Sequence, residues 1–419
     1  NIDVLYSLHG LNKQLNKIIG DPIFTTSLNF VKWSSNKFIN KLSSNVILNR
    51  FCLQILPDIS IRIKWFHLES SSIKRILRAA NYPNLYGLGL YNMKEKTARR
   101  LFTVQSFSQF VYLIDGRFNQ LHTLIVDLIN PAGSIEIIKN KTKIPNLKCF
   151  VLSCAWEMTY FDECCLPLLY RMSNLEKLGL YITTYVRDKF IDGNYLKNIF
   201  NRMPQLNEFS FDFRSLLFIN NQINFLSNED IQRTFTDFQY NKIISYVNHF
   251  LEENEAQCHI YSYPSQIQYY QRITNHFPGG IFKYVRLISL YDEHPFEHEF
   301  FIRISQSFPF IEKLSLINNQ SQKHKQSQNS SIVKYNYLVT LDIEKVHDDY
   351  LEEFLFNRKT YFHNNILVYI NYKSLERVTH NFTRDSTRIN CGKINKIYFW
   401  GEKNYSNSLR DYFPQAIIS

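Results

Sequence analysis

The sequence predicts an α/β solenoid, with a curved parallel sheet inside and helices outside. Three observations carry that expectation: a short phrase of the form L-x-x-L-x-L keeps returning, its copies are almost evenly spaced, and amphipathic helical stretches fall between them. The clearest copies are Leu85-Leu88-Leu90, Leu147-Phe150-Leu152, Leu175-Leu178-Leu180, Leu206-Phe209-Phe211, Val285-Ile288-Leu290, Ile311-Leu314-Leu316 and Leu338-Leu341-Ile343, with weaker ones starting at Ile63, Leu121, Leu367 and Ile394. First residues are 26, 28 and 31 apart from Leu121 to Leu206, and 26, 27, 29 and 27 apart from Val285 to Ile394. A leucine-rich repeat runs about 20–29 residues, and such a unit buries its apolar face only by stacking on a neighbour. A doubly wound α/β domain also alternates strands with helices, but it does not keep one strand phrase at near-constant spacing.

Taken in chain order, residues 2–19 form the first element. Asp3 is a helix cap candidate, and Leu5, Leu8, Leu11 and Leu15 supply an apolar face. Ile73, Ile76, Leu77 and Ala80 are spaced i, i+3, i+4, i+7, and Leu196, Ile199, Phe200 and Met203 repeat that spacing before Pro204. The gap from Leu206 to Val285 is near three periods, and the stretch 214–284 is expected to be irregular. Within it, 228–250 reads as a longer helix, Cys258 and Ile260 mark a degenerate strand, and Phe277-Pro278-Gly279-Gly280 reads as a turn. Helical stripes resume with Phe301, Ile304 and Phe308 after Pro295, and with Leu351, Phe354 and Leu355. The Gln/Ser/Lys-rich stretch 318–331 is expected to be a mobile loop.

Composition narrows the function classes. The 419 residues are 45% hydrophobic and 20% charged, the balance of a chain that folds around a core. No apolar run approaches the roughly 20 residues that span a bilayer, and residues 1–30 lack a signal-peptide pattern, so a cytoplasmic or nuclear location is expected. The seven cysteines are odd in number and sparse, which favours reduced thiols in a core over a disulfide framework. A net charge of +11 raises the question of nucleic acid. The basic residues are scattered, however, with denser spots at 94–100 and 139–148 and no RNA-reading motif beside them, so nucleic acid and membrane are not the expected partners.

No catalytic, cofactor or metal signature stands out. There is no C-x-x-C pair, GxxxxGK[ST] phrase or G-x-S-x-G elbow, and Gly87-Leu88-Gly89 lies in a repeat strand without the third glycine of a dinucleotide site. His294 and His298 sit i, i+4 among Glu293, Glu297 and Glu299, a spacing read as a solvated helix start rather than a metal site. The expectation is a non-enzyme with no cofactor.

At the amino terminus, Asp3-Val4-Leu5 leading into Leu11-Asn12-Lys13 resembles the second half of an F-box, and repeats follow directly. The whole is similar to the F-box and leucine-rich-repeat family of invertebrate proteins. The phrases Asp292-Glu293-His294-Pro295-Phe296-Glu297-His298-Glu299-Phe300-Phe301, His347-Asp348-Asp349-Tyr350-Leu351-Glu352 and Thr379-His380-Asn381-Phe382-Thr383-Arg384 look like stock phrases of one branch of it. The resemblance implies a short all-α F-box remnant at 1–22, cut within the F-box since no Leu-Pro-x-Glu helix precedes Asn1, and a solenoid over 23–419. It also implies a subunit of a Skp1, cullin and F-box ubiquitin ligase that selects an unknown target protein. Val4, Leu5, Leu8 and Leu11 would then face Skp1, and a chain lacking the first F-box helix is expected to bind Skp1 poorly. A plain repeat scaffold without a ligase link is the alternative.

In L-x-x-L-x-L the second and third apolar residues point into the core, so their neighbours line the concave sheet. That alternation nominates Tyr91, Tyr181, Asp212, Tyr291 and Trp400 as partner contacts, with Lys177, Glu208 and Lys313 on the same face. Tyr and Trp bury large area with few rotatable bonds and keep a polar tip.

Overall fold

A computed structural model describes residues 2–30, 45–69, 72–93, 121–128, 143–159, 161–219, 227–236, 238, 242–265, 267–324, 331–363, 365–401 and 407–418. The expected basic spot at 94–100, and residues 139–142 of that at 139–148, lie outside the described residues. The chain is mixed α/β with parallel sheets. It divides into two compact units, Asn1–Leu217 with Leu226–Ser245 and Cys258–Ser262, and Phe218–Phe225 with Tyr246–Gln257 and Tyr263–Ser419.

The first sheet contains β1 (Ser27–Asn29), β2 (Trp65–Glu69), β3 (Gly87–Met93), β4 (Thr123–Leu128), β5 (Cys149–Met158), β6 (Lys177–Tyr185), β7 (Glu208–Phe218), β8 (Lys242–Phe250) and β9 (Glu255–Tyr263), in the order β1-β2-β3-β4-β5-β6-β7-β9-β8. Each pair from β1 to β7 is parallel, and the register stacks like on like. Phe66, Leu88, Leu124, Phe150, Leu178 and Phe209 form one ladder, and Leu68, Leu90, Val126, Leu152, Leu180 and Phe211 the next. All of these side chains are buried. Burial of one such side chain is worth about 1.5–3 kcal/mol, and the period-2 alternation sends every intervening residue to the opposite face.

The second sheet runs β10-β11-β12-β14-β16-β17-β18, through β10 (Tyr269–Ile273), β11 (Leu287–Tyr291), β12 (Lys313–Asn318), β14 (Thr340–Val346), β16 (Ile366–Asn371), β17 (Ile394–Trp400) and β18 (Ile417–Ile418). Its pairs are parallel too, with Ile288, Leu314, Leu341, Val368 and Ile397 in register. Short strands β13 (Val333–Tyr335) and β15 (Thr360–Phe362) pair separately. The expected helical stripes fall on helices Ile73–Ala79, Gly193–Phe200, His298–Ser307 and Asp348–Leu355.

Several expectations need correction. The stretch 228–250 is not one helix. Helix Asn228–Arg233, with a Ser227–Asp230 capping box, ends early, and β8 follows, because Ile243, Ile244, Tyr246, Val247 and Phe250 favour a pleated strand. The phrase assigned to Leu367 sits two residues earlier in the fold: Val368 and Ile370 pair with Leu341 and Ile343, while Leu367 is half-buried. The loop expected to be mobile is anchored in its described part. The Gln322 backbone N–H donates to Asp349, and those of Lys323 and His324 donate to Glu297; residues 325–330 lie outside the described residues.

Residues of the three phrases at 292–301, 347–352 and 379–384 hydrogen-bond between neighbouring elements. The Phe296 N–H donates to the Tyr350 hydroxyl at 3.0 Å, and His298 is hydrogen-bonded to Glu353 at 2.6 Å. Asp348 accepts a bidentate pair from Arg377 at 2.7 and 2.8 Å, and Glu352 accepts from Arg384 at 2.8 Å. His298 is therefore a buried partner of Glu353 rather than part of a solvated helix start, whereas His294 is exposed.

Candidate functional site

The strands that expose a polar face begin, on the first sheet, with a glycine-dependent aromatic block. A Cβ on Gly87 would come within 2.2 Å of the Trp65 ring, and one on Gly89 within 2.7 Å of Tyr91 and 3.0 Å of His67. Gly87 thus lets the Trp65 ring, and Gly89 the Tyr91 and His67 rings, lie close over the backbone of β3, the close approach that a glycine in a strand interior marks. Trp65 stacks on His67 with centroids 6.3 Å apart, and the His67 Nδ1 lies 3.3 Å from the Tyr91 hydroxyl. Tyr86 stacks on His122 at 4.6 Å and tilts against Trp65 at 5.7 Å.

Next along the face, Asp127, Ser153, Tyr181 and Asp212 occupy one level of four successive strands, and Tyr91 adjoins them where the register between β3 and β4 shifts. Burial pushes the Asp127 carboxyl up to about 6, and a Ser153 hydrogen bond partly opposes that. Its Oδ1 is buried and has no hydrogen-bond partner among the described residues. The Tyr181 hydroxyl lies 2.9 Å from Ser210 Oγ, and burial raises its pKa. Asp212 is buried, and the ring N–H of His259 donates to it at 2.8 Å, so its carboxylate is committed inside the protein and not displayed. Burial holds the His259 imidazole below its ordinary pKa. Two levels below, past Gly179 and Ser210, Lys177 and Glu208 are exposed and paired at 2.5 Å.

On the second sheet, Lys313 is exposed, and Trp400, opposite Asn371, is 60% exposed. Tyr291 is half-buried with the Arg272 guanidinium 4.9 Å from its ring centre. Arg272 also lies over Phe250 and bonds Glu253 and Glu255, so this tyrosine helps hold a cation of the chain itself. Tyr369 and Tyr398 stack at 4.8 Å on the same face, and sequence reasoning missed them.

At the amino terminus, Leu5 is fully buried, Leu8 is half-buried, Val4 is 37% exposed and Leu11 is 63% exposed. Arg50 donates to the His9 carbonyl at 3.1 Å and lies over the Tyr6 ring at 4.8 Å, which docks the first helix on the segment that follows.

A cleft of about 510 Å3 opens beside the loop after β6. Three of its four acids already have roles: Asp192 caps helix Gly193–Phe200, Asp162 accepts from the Tyr195 hydroxyl, and Glu163 pairs with Arg187 at 3.0 Å; the fourth, Asp188, is exposed. Among the described residues no group of three or more His, Cys, Asp or Glu is placed to hold a metal, and no helix is long and apolar enough to cross a membrane.

Trp65, His67, Asp127 and Ser153 were not singled out from the sequence. The Gly-x-Gly inside a strand was their available signal, since it announces a bulky neighbour lying over the backbone. No family model and no curated protein matches the sequence.

Proposed function

We propose that this chain is a leucine-rich-repeat solenoid that binds a target protein through the polar face of its sheets, as the non-catalytic substrate-recognition subunit of a Skp1, cullin and F-box ubiquitin ligase. The observation that carries the recognition reading is the one-sided use of the strands. Aliphatic and aromatic ladders fill one face in register, which leaves tyrosine, tryptophan and paired charges on the other. Such a face offers area, rigidity and hydrogen-bonding tips without a catalytic group, and its contribution to ubiquitin transfer is effective concentration.

The ligase link is supported by the F-box-like residues at the start and by exposed apolar side chains there. Leu11, Ile18 and Ile23 are 63%, 56% and 72% exposed, apolar area suited to covering by another protein. One observation favours the scaffold alternative: Leu5 is fully buried within the chain, as in a helix that caps the end of a repeat stack. Co-purification of the complete protein with Skp1 separates the two. A stoichiometric complex weakened by Leu11→Asp supports the ligase reading, and recovery of the folded protein without Skp1 supports the scaffold.

A further inference from the structure

We propose that His298 is a pH-sensitive latch: as an imidazolium it joins the backbone just ahead of β13 to helix Asp348–Leu355, and loss of its proton releases Ser331. The geometry of the ring decides its protonation. Nδ1 lies 2.6 Å from a Glu353 carboxylate oxygen, and Nε2 lies 2.9 Å from the Ser331 carbonyl oxygen. A carbonyl and an ionised carboxyl accept hydrogen bonds and donate none. A neutral imidazole carries a single N–H, so either tautomer would aim a lone pair at one of these oxygens; only the imidazolium donates to both. The side chains of His298 and Glu353 are 6% and 0% exposed, so water cannot make good a mismatched bond.

The surroundings keep the proton on the ring and off Glu353. The Lys359 ammonium donates to the other Glu353 oxygen at 3.2 Å, and an adjacent cation holds a carboxyl ionised. Three influences oppose a charged ring: its burial, the Lys359 charge, and its place as the first residue of helix His298–Ser307, where the helix dipole disfavours a cation. The bond to Glu353, that carboxylate's charge and the Ser331 carbonyl outweigh them and hold the imidazole above its ordinary value of 6.5. The other charged or titratable groups around the ring have their own partners or stay neutral. Glu297 accepts from the Lys323 and His324 N–H groups, Asp349 accepts from that of Gln322, and burial with the Glu353 charge pushes the Tyr335 hydroxyl of β13 well up.

When pH rises through the raised folded value, the ring keeps one N–H, and the carboxylate is the stronger acceptor for it. The Nε2 lone pair then faces the Ser331 carbonyl oxygen, and that tie is lost. Strand β13 begins two residues later and lies outside the second sheet, held by its pairing with β15 and by the Val333 N–H donating to the Lys359 carbonyl at 2.8 Å. Its leading end is therefore free to fray while the second sheet stays intact. The latch is closed below the ordinary histidine value and opens as pH rises past the folded one.

Two readouts on the full chain test this. Hydrogen exchange of the wild type, followed by mass spectrometry, reads the latch itself. Protection of the 332–335 amides, corrected for the intrinsic rate, should fall about fivefold from about pH 6 to about pH 9, the weight of one hydrogen bond, while 314–317 of β12 keeps its protection. In protein labelled with nitrogen-15 histidine, with the His298 signal assigned by its loss in His298→Gln, both ring nitrogens should be protonated at about pH 6, and the ring should titrate at the midpoint of the protection loss. An unprotonated ring nitrogen at about pH 6 overturns the charge assignment, and a midpoint apart from the ring's overturns its link to β13. Protection at 332–335 that does not fall overturns the latch, a result that needs no variant to fold.

Discussion

Asp127 shows how one residue links the sheet's register to its chemistry. The strand alternation puts it on the polar face, its neighbours desolvate it, and the carboxyl is pushed up to about 6. The folded protein then holds a proton that the unfolded chain releases near the ordinary value of 3.8. Between those limits the folded state binds more protons, so stability falls as pH rises and the full cost is present above about pH 6. Two pKa units correspond to about 3 kcal/mol as an upper figure. Asp127→Asn is expected to raise unfolding free energy by about 1–3 kcal/mol at pH 7.5 and by much less at pH 4, as read by urea denaturation; an equal difference at both pH values contradicts that origin. Tyr181→Ala, at a half-buried position whose main polar contact is Ser210, should cost about 1 kcal/mol of stability while reducing target capture. Tyr91 and Tyr181 were legible in the sequence because alternation is a property of each strand alone. Asp212 illustrates the limit: its level in the row follows from alternation, but its burial against His259 depends on a strand 47 residues away in the chain.

Within the elements, the ladders carry most of the fold. Leu178 is 2% exposed between Phe150 and Phe209, and Leu178→Asp would put a charge into that core. The variant should lose more than about 3 kcal/mol, and an unchanged melting temperature would refute the register. The pair His298–Glu353 joins helices His298–Ser307 and Asp348–Leu355, and the hydrogen bond to Glu353 raises the imidazole's pKa against its burial. Its stabilisation is complete below the ordinary histidine value of 6.5 and is lost as pH rises through the raised folded value. Stability of the wild type should therefore decline above neutrality more steeply than that of His298→Gln; parallel curves would show that the pair stays neutral. The strand phrases could be read because aliphatic spacing is local. The helix expected over 228–250 and the offset at Leu367 were misread because short apolar runs fit either period, and only pairing across strands fixes register.

At a larger scale, within each of the two main sheets successive strands turn one local phrase into ladders of apolar side chains on one face and leave a polar face on the other. The parallel mixed α/β arrangement was legible from the repeat spacing, whereas the division into two units was not, because 218–225 and 246–257 fall in one unit and 226–245 and 258–262 in the other, an interleaving that no strand phrase announces. The protein carries its own reporter of whether that face is used. Cys149 is half-exposed on β5, level with Lys177, while Cys52, Cys154, Cys165, Cys258 and Cys391 are buried. Burial raises the Cys149 thiol's pKa, which makes its alkylation slow but measurable at alkaline pH. The decisive measurement is the alkylation rate of Cys149 by N-ethylmaleimide, read by peptide mass spectrometry with and without bound target. A target docked on the polar face should slow it at least about fivefold while the buried thiols stay unreactive in both states; an unchanged Cys149 rate with the target demonstrably bound would contradict recognition through this face.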